Sequence, residues 1–88
     1  MPSTQVFYDG SVQGVGFRYS VKQIAKGFDV IGWVRNLPDG RVELQCSGSC
    51  EEVDAFLEAI AESELQSHIR NVADHSIPPL AVRGFEIV

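Results

Sequence analysis

The chain has 88 residues, of which 44% are hydrophobic and 22% charged, so it holds one ordinary core and leaves no room for a second domain. Seven Lys and Arg stand against twelve Asp and Glu, a formal charge of −5, which excludes a broadly basic nucleic-acid-binding surface. An anionic ligand must therefore be drawn by local groups and not by the field of the whole protein.

Residues Gln5 to Val12 alternate imperfectly, with Val6, Tyr8, Gly10 and Val12 on one parity and Phe7 on the other, which predicts a strand with one buried face and a second face that is not purely polar. At Arg18 the period changes. Val21, Ile24, Ala25 and Phe28 follow at the i, i+3, i+4, i+7 spacing of a single helical stripe. Asp29 is expected to close this helix in the left-handed region, which aspartate tolerates better than most residues, with Gly27 one place inside that end. A second strand is predicted over Val30 to Arg35. Leu37-Pro38-Asp39-Gly40 has turn chemistry, with proline presetting φ and glycine supplying a positive φ, and Arg41 to Cys46 completes a hairpin.

Ser49 and Glu52 have the S-x-x-E spacing of a capping box, and Val53, Phe56, Leu57 and Ile60 form a second helical stripe ending near Ser63. A fourth strand is placed near His68 to Ser76 with a bulge, stopped by Pro78-Pro79, and a short last strand over Arg83 to Val88. The order is a strand-helix-strand unit repeated once, then an edge strand. That is the split βαβ, or ferredoxin-like, pattern: an α+β sandwich with a four-stranded antiparallel sheet, a short C-terminal edge strand and both helices on one face.

One stretch carries chemistry, Gly10-Ser11-Val12-Gln13-Gly14-Val15-Gly16-Phe17-Arg18. Glycines let the backbone turn with positive φ, and successive N–H groups in such a loop converge on an anion. The helix start adds unpaired N–H donors, and Arg18 adds a planar fork that matches two phosphate oxygens. Asn36 ends the second strand on the same parity as Gly32 and Val34, so it starts from the buried side and can point toward the loop. Read singly, Gly14 and Gly16 make only a turn, Arg18 is a solvated helix start, and Asn36 is a turn residue. Their joint spacing is what points to a site.

The stretch VQGVGFRY resembles the signature of the acylphosphatases, enzymes that hydrolyse carboxyl-phosphate mixed anhydrides. A second block, Gly32-Trp33-Val34-Arg35-Asn36-Leu37-Pro38-Asp39-Gly40-Arg41-Val42-Glu43, and the C-terminal Gly84-Phe85-Glu86-Ile87 extend the resemblance over nearly the whole chain. It implies the same ferredoxin-like fold and two catalytic residues. Arg18 would bind the substrate phosphate together with the backbone N–H groups of Gln13, Gly14, Val15, Gly16, Phe17 and Arg18. Asn36 would orient the attacking water through its side-chain amide. Ser11 stands where the family often has arginine and is expected to face away. The resemblance further implies an acyl phosphate as substrate, inorganic phosphate as product and inhibitor, and no metal or other cofactor.

The alternative is a non-catalytic phosphate- or RNA-binding module on the same fold, because fold alone does not set function. RNA recognition on such a sheet needs stacked aromatics on a basic surface, which this composition does not offer. Cys46 and Cys50 are too few for a disulfide framework and are expected as free thiols, and His68 and His75 stand too far off to complete a zinc site with them. No apolar run approaches the ~20 residues of a membrane span. Met1-Pro2-Ser3-Thr4-Gln5 lacks the basic and apolar segments of a signal peptide. A cytoplasmic monomer with no nucleic-acid or membrane partner is expected.

Overall fold

Alternating strands and two amphipathic stripes assemble in the expected order. The structure, a computed structural model, describes residues 3–88; Met1 and Pro2, part of the N-terminal stretch read above for a leader, lie outside the described residues. The elements are β1 (Ser3–Gly10), α1 (Phe17–Ala25), β2 (Ile31–Asn36), β3 (Val42–Ser47), α2 (Cys50–Ala61), a short 3-10 helical turn (Glu64–His68), β4 (Ile69–Ile77) and β5 (Phe85–Ile87). They form one sheet in the order β4-β1-β3-β2-β5. The first four strands pair antiparallel, while β5 runs parallel to β2, with Phe85 opposite Gly32 and Ile87 opposite Val34. The parallel direction of β5 was not legible in the sequence. The bulge expected in β4 is present, where Arg70 has no partner between the Asp9–Asn71 and Gly10–Ile69 pairs.

Both helices cover one face of the sheet. Phe17, Val21 and Ala25 of α1 and Val53, Phe56 and Ile60 of α2 share one core with Val6, Tyr8, Val34, Val42, Leu44 and Cys46 of the strands. Each fully buried large apolar side chain in this cluster contributes roughly 1.5–3 kcal/mol. Ile24, Phe28 and Leu57, the remaining members of the two stripes, pack against its rim.

The end of α1 differs from expectation. No non-glycine residue among the described residues has a positive φ, so Asp29 is not a left-handed cap. The helix stops at Ala25, and the chain leaves it through tight bonds from Lys26 N to Gln23 O, Gly27 N to Ile24 O and Phe28 N to Ala25 O. These satisfy the last carbonyls without a left-handed residue, and Gly27 lies in the turn outside the helix. The Asp29 N–H instead donates to Glu52 Oε1 at 2.7 Å. The capping box is therefore only half made. Ser49 Oγ accepts from Glu52 N at 3.2 Å, but the Glu52 carboxylate is spent on Asp29, which ties the start of α2 to the exit of α1.

The other sheet face is open, and at its centre lies a buried carboxylate. Glu43 is 3% exposed. Its Oε2 accepts from Gln5 Nε2 at 2.7 Å and Gln45 Nε2 at 3.0 Å, and its Oε1 accepts from Arg35 Nε at 2.8 Å. Burial pushes the Glu43 pKa up, but the three hydrogen bonds and the Arg35 charge outweigh it and hold the group below its usual value. A depressed folded-state pKa stabilises the protein above the unfolded-state value, and that contribution is lost as pH falls through the folded-state value. Replacing the acceptor with an amide faces three donors with a fourth. We therefore expect Glu43→Gln to destabilise at neutral pH by about 1–3 kcal/mol in urea unfolding, with the gap to wild type closing as pH falls below the usual glutamate range. A gap independent of pH would mean that the ionised carboxylate is not what the network holds.

Candidate active site

At the end of β1 the chain turns Val12 back into the core, 1% exposed, and leaves residues 13 to 16 on the surface. Gly14 and Gly16 carry φ of 78° and 76°. A Cβ on either would meet nothing within 4 Å, so the sign of φ, not crowding, asks for glycine there. Gly16 caps α1 from the left-handed region with no side-chain hydrogen bond. The first bond into the helix is Ser20 N to Gly16 O at 3.0 Å, so the N–H groups of Phe17, Arg18 and Tyr19 have no intrahelical acceptor. The first turn holds no acidic residue to neutralise its partial positive charge. Phe17, 2% exposed, packs its ring 5.1 Å from Tyr8 and so pins this helix start to β1.

Above the helix start lies a cleft of about 180 Å³. Gly14, Gly16, Phe17, Arg18 and Asn36, all assigned from the sequence, line it, together with Val12, Tyr19 and Ile87. Gln13 and Val15 are not among the lining residues. Gln13 turns its carboxamide to the hairpin, where Nε2 donates to Leu37 O at 2.8 Å and Arg41 O at 2.9 Å, and Val15 is 41% exposed. Ser11 is exposed, as expected. Ile87 reaches the cleft because β5 pairs with β2, two residues before Asn36. Nothing local in the sequence shows that long-range pairing. Tyr19 follows Arg18 in the same helical turn.

Two polar groups in this cleft are unmatched. Among the described residues Arg18 has no carboxylate partner, although the chain carries twelve acidic residues. Asn36 Oδ1 is buried and has no hydrogen-bond partner among the described residues. An orphaned buried acceptor costs about 1–3 kcal/mol, so it marks a place where a donor belongs. A carbonyl-type oxygen accepts an O–H, and water is a donor of the right size. The arrangement thus combines a cation and free N–H donors for an anion with an acceptor for a water.

The other reactive groups lie elsewhere. Cys46 is a free thiol buried in the core and is pushed up to about 12 by desolvation, and Cys50 is a free thiol exposed at the start of α2. The buried Tyr8 phenol is pushed well above its usual value, chiefly by desolvation. Neither Cys46 nor Tyr8 lines the cleft. His75 packs edge-on against Phe7, 6.0 Å between ring centroids, on the open sheet face. Among the described residues no three of His, Cys, Asp and Glu gather as metal ligands, and no helix is long and apolar enough to cross a membrane.

The similarities of the chain agree with this geometry. A family model described as acylphosphatase matches residues 4–87. An acylphosphatase of Trichormus variabilis is 42% identical over 82 residues, covering 93% of this chain and 81% of that one. One of Methanospirillum hungatei is 41% identical over 73 residues, covering 82% and 80%. The crystal structure of acylphosphatase from Bacillus subtilis superposes with a TM-score of 0.88 at 35% identity, covering 100% of this chain and 99% of that one. The matched span takes in most of the chain, and the chain belongs to the acylphosphatase family.

Proposed function

We propose that the protein hydrolyses the carboxyl–phosphate bond of acyl phosphates to a carboxylate and inorganic phosphate. The observation that carries this reading is the pairing, in one cleft, of unmet N–H donors and an unpartnered Arg18 with the orphaned Asn36 Oδ1. The phosphoryl oxygens sit against the loop and helix-start backbone from Gly14 to Arg18 and the Arg18 guanidinium. The loop supplies fixed dipoles and the fork supplies charge where negative charge builds up in the transition state. Asn36 Oδ1 accepts one water O–H and turns the water's lone pair toward phosphorus. As the water oxygen bonds to phosphorus, the bridging oxygen leaves with its electron pair as the carboxylate. The water's proton passes to a phosphoryl oxygen, so RCO–OPO₃²⁻ and H₂O become RCOO⁻ and H₂PO₄⁻. A carboxylate is a good leaving group, so positioning and charge suffice, with no protein base and no metal.

The same reading takes residues 1–88 as one domain acting as a cytoplasmic monomer with no nucleic-acid or membrane partner. The acidic balance of −5 supports the absence of nucleic acid. So does the open sheet face, where Arg35 lies 5.1 Å over the Trp33 ring and Arg41 4.6 Å over Phe7, covering the rings on which bases would stack.

Three measurements test the proposal. Inorganic phosphate should inhibit hydrolysis of a simple acyl phosphate competitively, and Arg18→Ala should weaken that inhibition while raising KM and lowering kcat. Arg18→Lys should restore little, because a point charge does not reproduce the fork. Noncompetitive inhibition would remove the loop from the active site. Asn36→Ala should lower kcat on the order of 10²–10³-fold with KM and phosphate inhibition nearly unchanged. Near wild-type kcat in a folded Asn36→Ala protein, checked by circular dichroism, would reject the water-orienting role. Activity should also survive exhaustive chelation; a loss reversed by added magnesium or zinc would reject the metal-free route.

A further inference from the structure

The anion-binding groups and Asn36 belong to separate chain segments. The loop and helix start form one continuous stretch, residues 14 to 18, whereas Asn36 ends β2 at the foot of the hairpin turn. Catalysis by orientation depends on the distance between the two, so something must hold it. Packing anchors the two ends of the loop, through buried Val12 and Phe17, but residues 13 to 16 between them are exposed and bury no side chain of their own. Among the described residues, hydrogen bonds between residues 11–16 and 36–41 come from one side chain, Gln13.

We propose that Gln13 is a positioning residue whose carboxamide clasps the phosphate loop to the hairpin and so sets the separation of the bound phosphoryl group from the water on Asn36. The inference rests on the function proposed above. Nε2 donates its two hydrogens to the carbonyls that bracket the turn, Leu37 O at 2.8 Å and Arg41 O at 2.9 Å. Both carbonyls already accept within the turn, Leu37 O from Gly40 N at 3.1 Å and Arg41 O from Leu37 N at 2.8 Å. Each carbonyl oxygen has two lone pairs, so Gln13 completes both. Leu37 is the residue after Asn36, so the clasp holds the chain one residue beyond the water-orienting group.

This geometry separates two effects. The phosphate contacts lie on one continuous segment and do not pass through the clasp, so phosphate affinity should outlast its loss. The fit of that segment to Asn36 should not, and misplacement by about 1 Å in such a site costs up to ~10²-fold in rate. A role in folding alone would not divide the constants in this way.

The test compares wild type, Gln13→Met, Gln13→Glu, Asn36→Ala and the double variant Gln13→Met/Asn36→Ala, using acetyl phosphate as substrate and inorganic phosphate as inhibitor. Methionine keeps the length and removes both donors. Glutamate keeps the shape and sets carboxylate oxygens against two carbonyl oxygens. The expected result is a kcat lowered on the order of 10–10²-fold in both Gln13 variants with phosphate inhibition nearly unchanged. The double variant should be no slower than Asn36→Ala alone, because a clasp that acts through Asn36 has nothing left to position. Gln13 is exposed, so folded variants are expected; thermal melting checks this, and either variant alone decides the kcat and inhibition arms. Three results overturn the inference while leaving the functional reading intact. These are an unchanged kcat, a loss of phosphate inhibition that parallels the loss of kcat, and additive losses in the double variant. Full activity in Asn36→Ala would instead overturn the water assignment, and this inference with it.

Discussion

The site depends on the register of the central strand. Val42 of β3 pairs with Tyr8 of β1 on one side and with Asn36 of β2 on the other. The ladder therefore brings the exit of β1, where the glycine loop begins, level with the end of β2, where Asn36 sits. Strand side chains alternate, so a slip of one residue between β2 and β3 would move Asn36 to the open face and Arg35 to the helix face. The buried contacts of Val34, Val42 and Leu44 oppose such a slip, since it would expose fully buried apolar side chains on one face. The register is also tied from the open side, where Arg35 of β2 and Gln5 of β1 both bond the Glu43 carboxylate of β3. Core packing on one face and a polar network on the other thus hold the three strands that set the cleft's two sides level.

Charge works locally in this protein. With a formal charge of −5 the molecule as a whole repels an acyl phosphate at long range. Lys22, Arg35 and Arg41 each have a carboxylate neighbour, on Glu86, Glu43 and Asp39 respectively. Among the described residues Arg18 has none, and it stands at a helix start with no acidic residue in its first turn. The cleft walls are otherwise largely apolar, from Val12, Phe17 and Ile87, which strengthens an interaction between a guanidinium and an anion. The orphaned Asn36 Oδ1 has a related logic. A buried polar atom left without a partner in the folded protein is a cost that a bound donor removes.

Local chemistry carried most of the fold in the sequence. The stripes Val21-Ile24-Ala25-Phe28 and Val53-Phe56-Leu57-Ile60, the Pro38-Asp39-Gly40 turn and the Ser49 cap each act over a few residues, and each appears in the structure near its expected place. The ends of the strands and of α2 moved by one or two residues, because pairing partners and not propensity decide where a ladder stops, and α1 stops three residues before Phe28. Asp29 failed as a left-handed cap for a non-local reason. Glu52, far along the chain, takes its N–H, and consecutive tight bonds close the helix before it.

The same division runs through the site. Glycine spacing, a helix start and an arginine after it are contiguous, so the sequence by itself determined the glycine loop and the helix start that line the cleft, and strand parity determined which side of β2 Asn36 faces. Only the tertiary structure decided that β5 pairs parallel to β2 and brings Ile87 to the cleft, and that the Gln13 carboxamide points away from the cleft to two carbonyls of the hairpin. It alone decided that Asn36 Oδ1 is left without a donor. The physical reason is one of range. Periodicity and turn chemistry arise from neighbours along the chain, whereas a hydrogen-bond partner, or the lack of one, depends on which distant segments the packed sheet sets side by side.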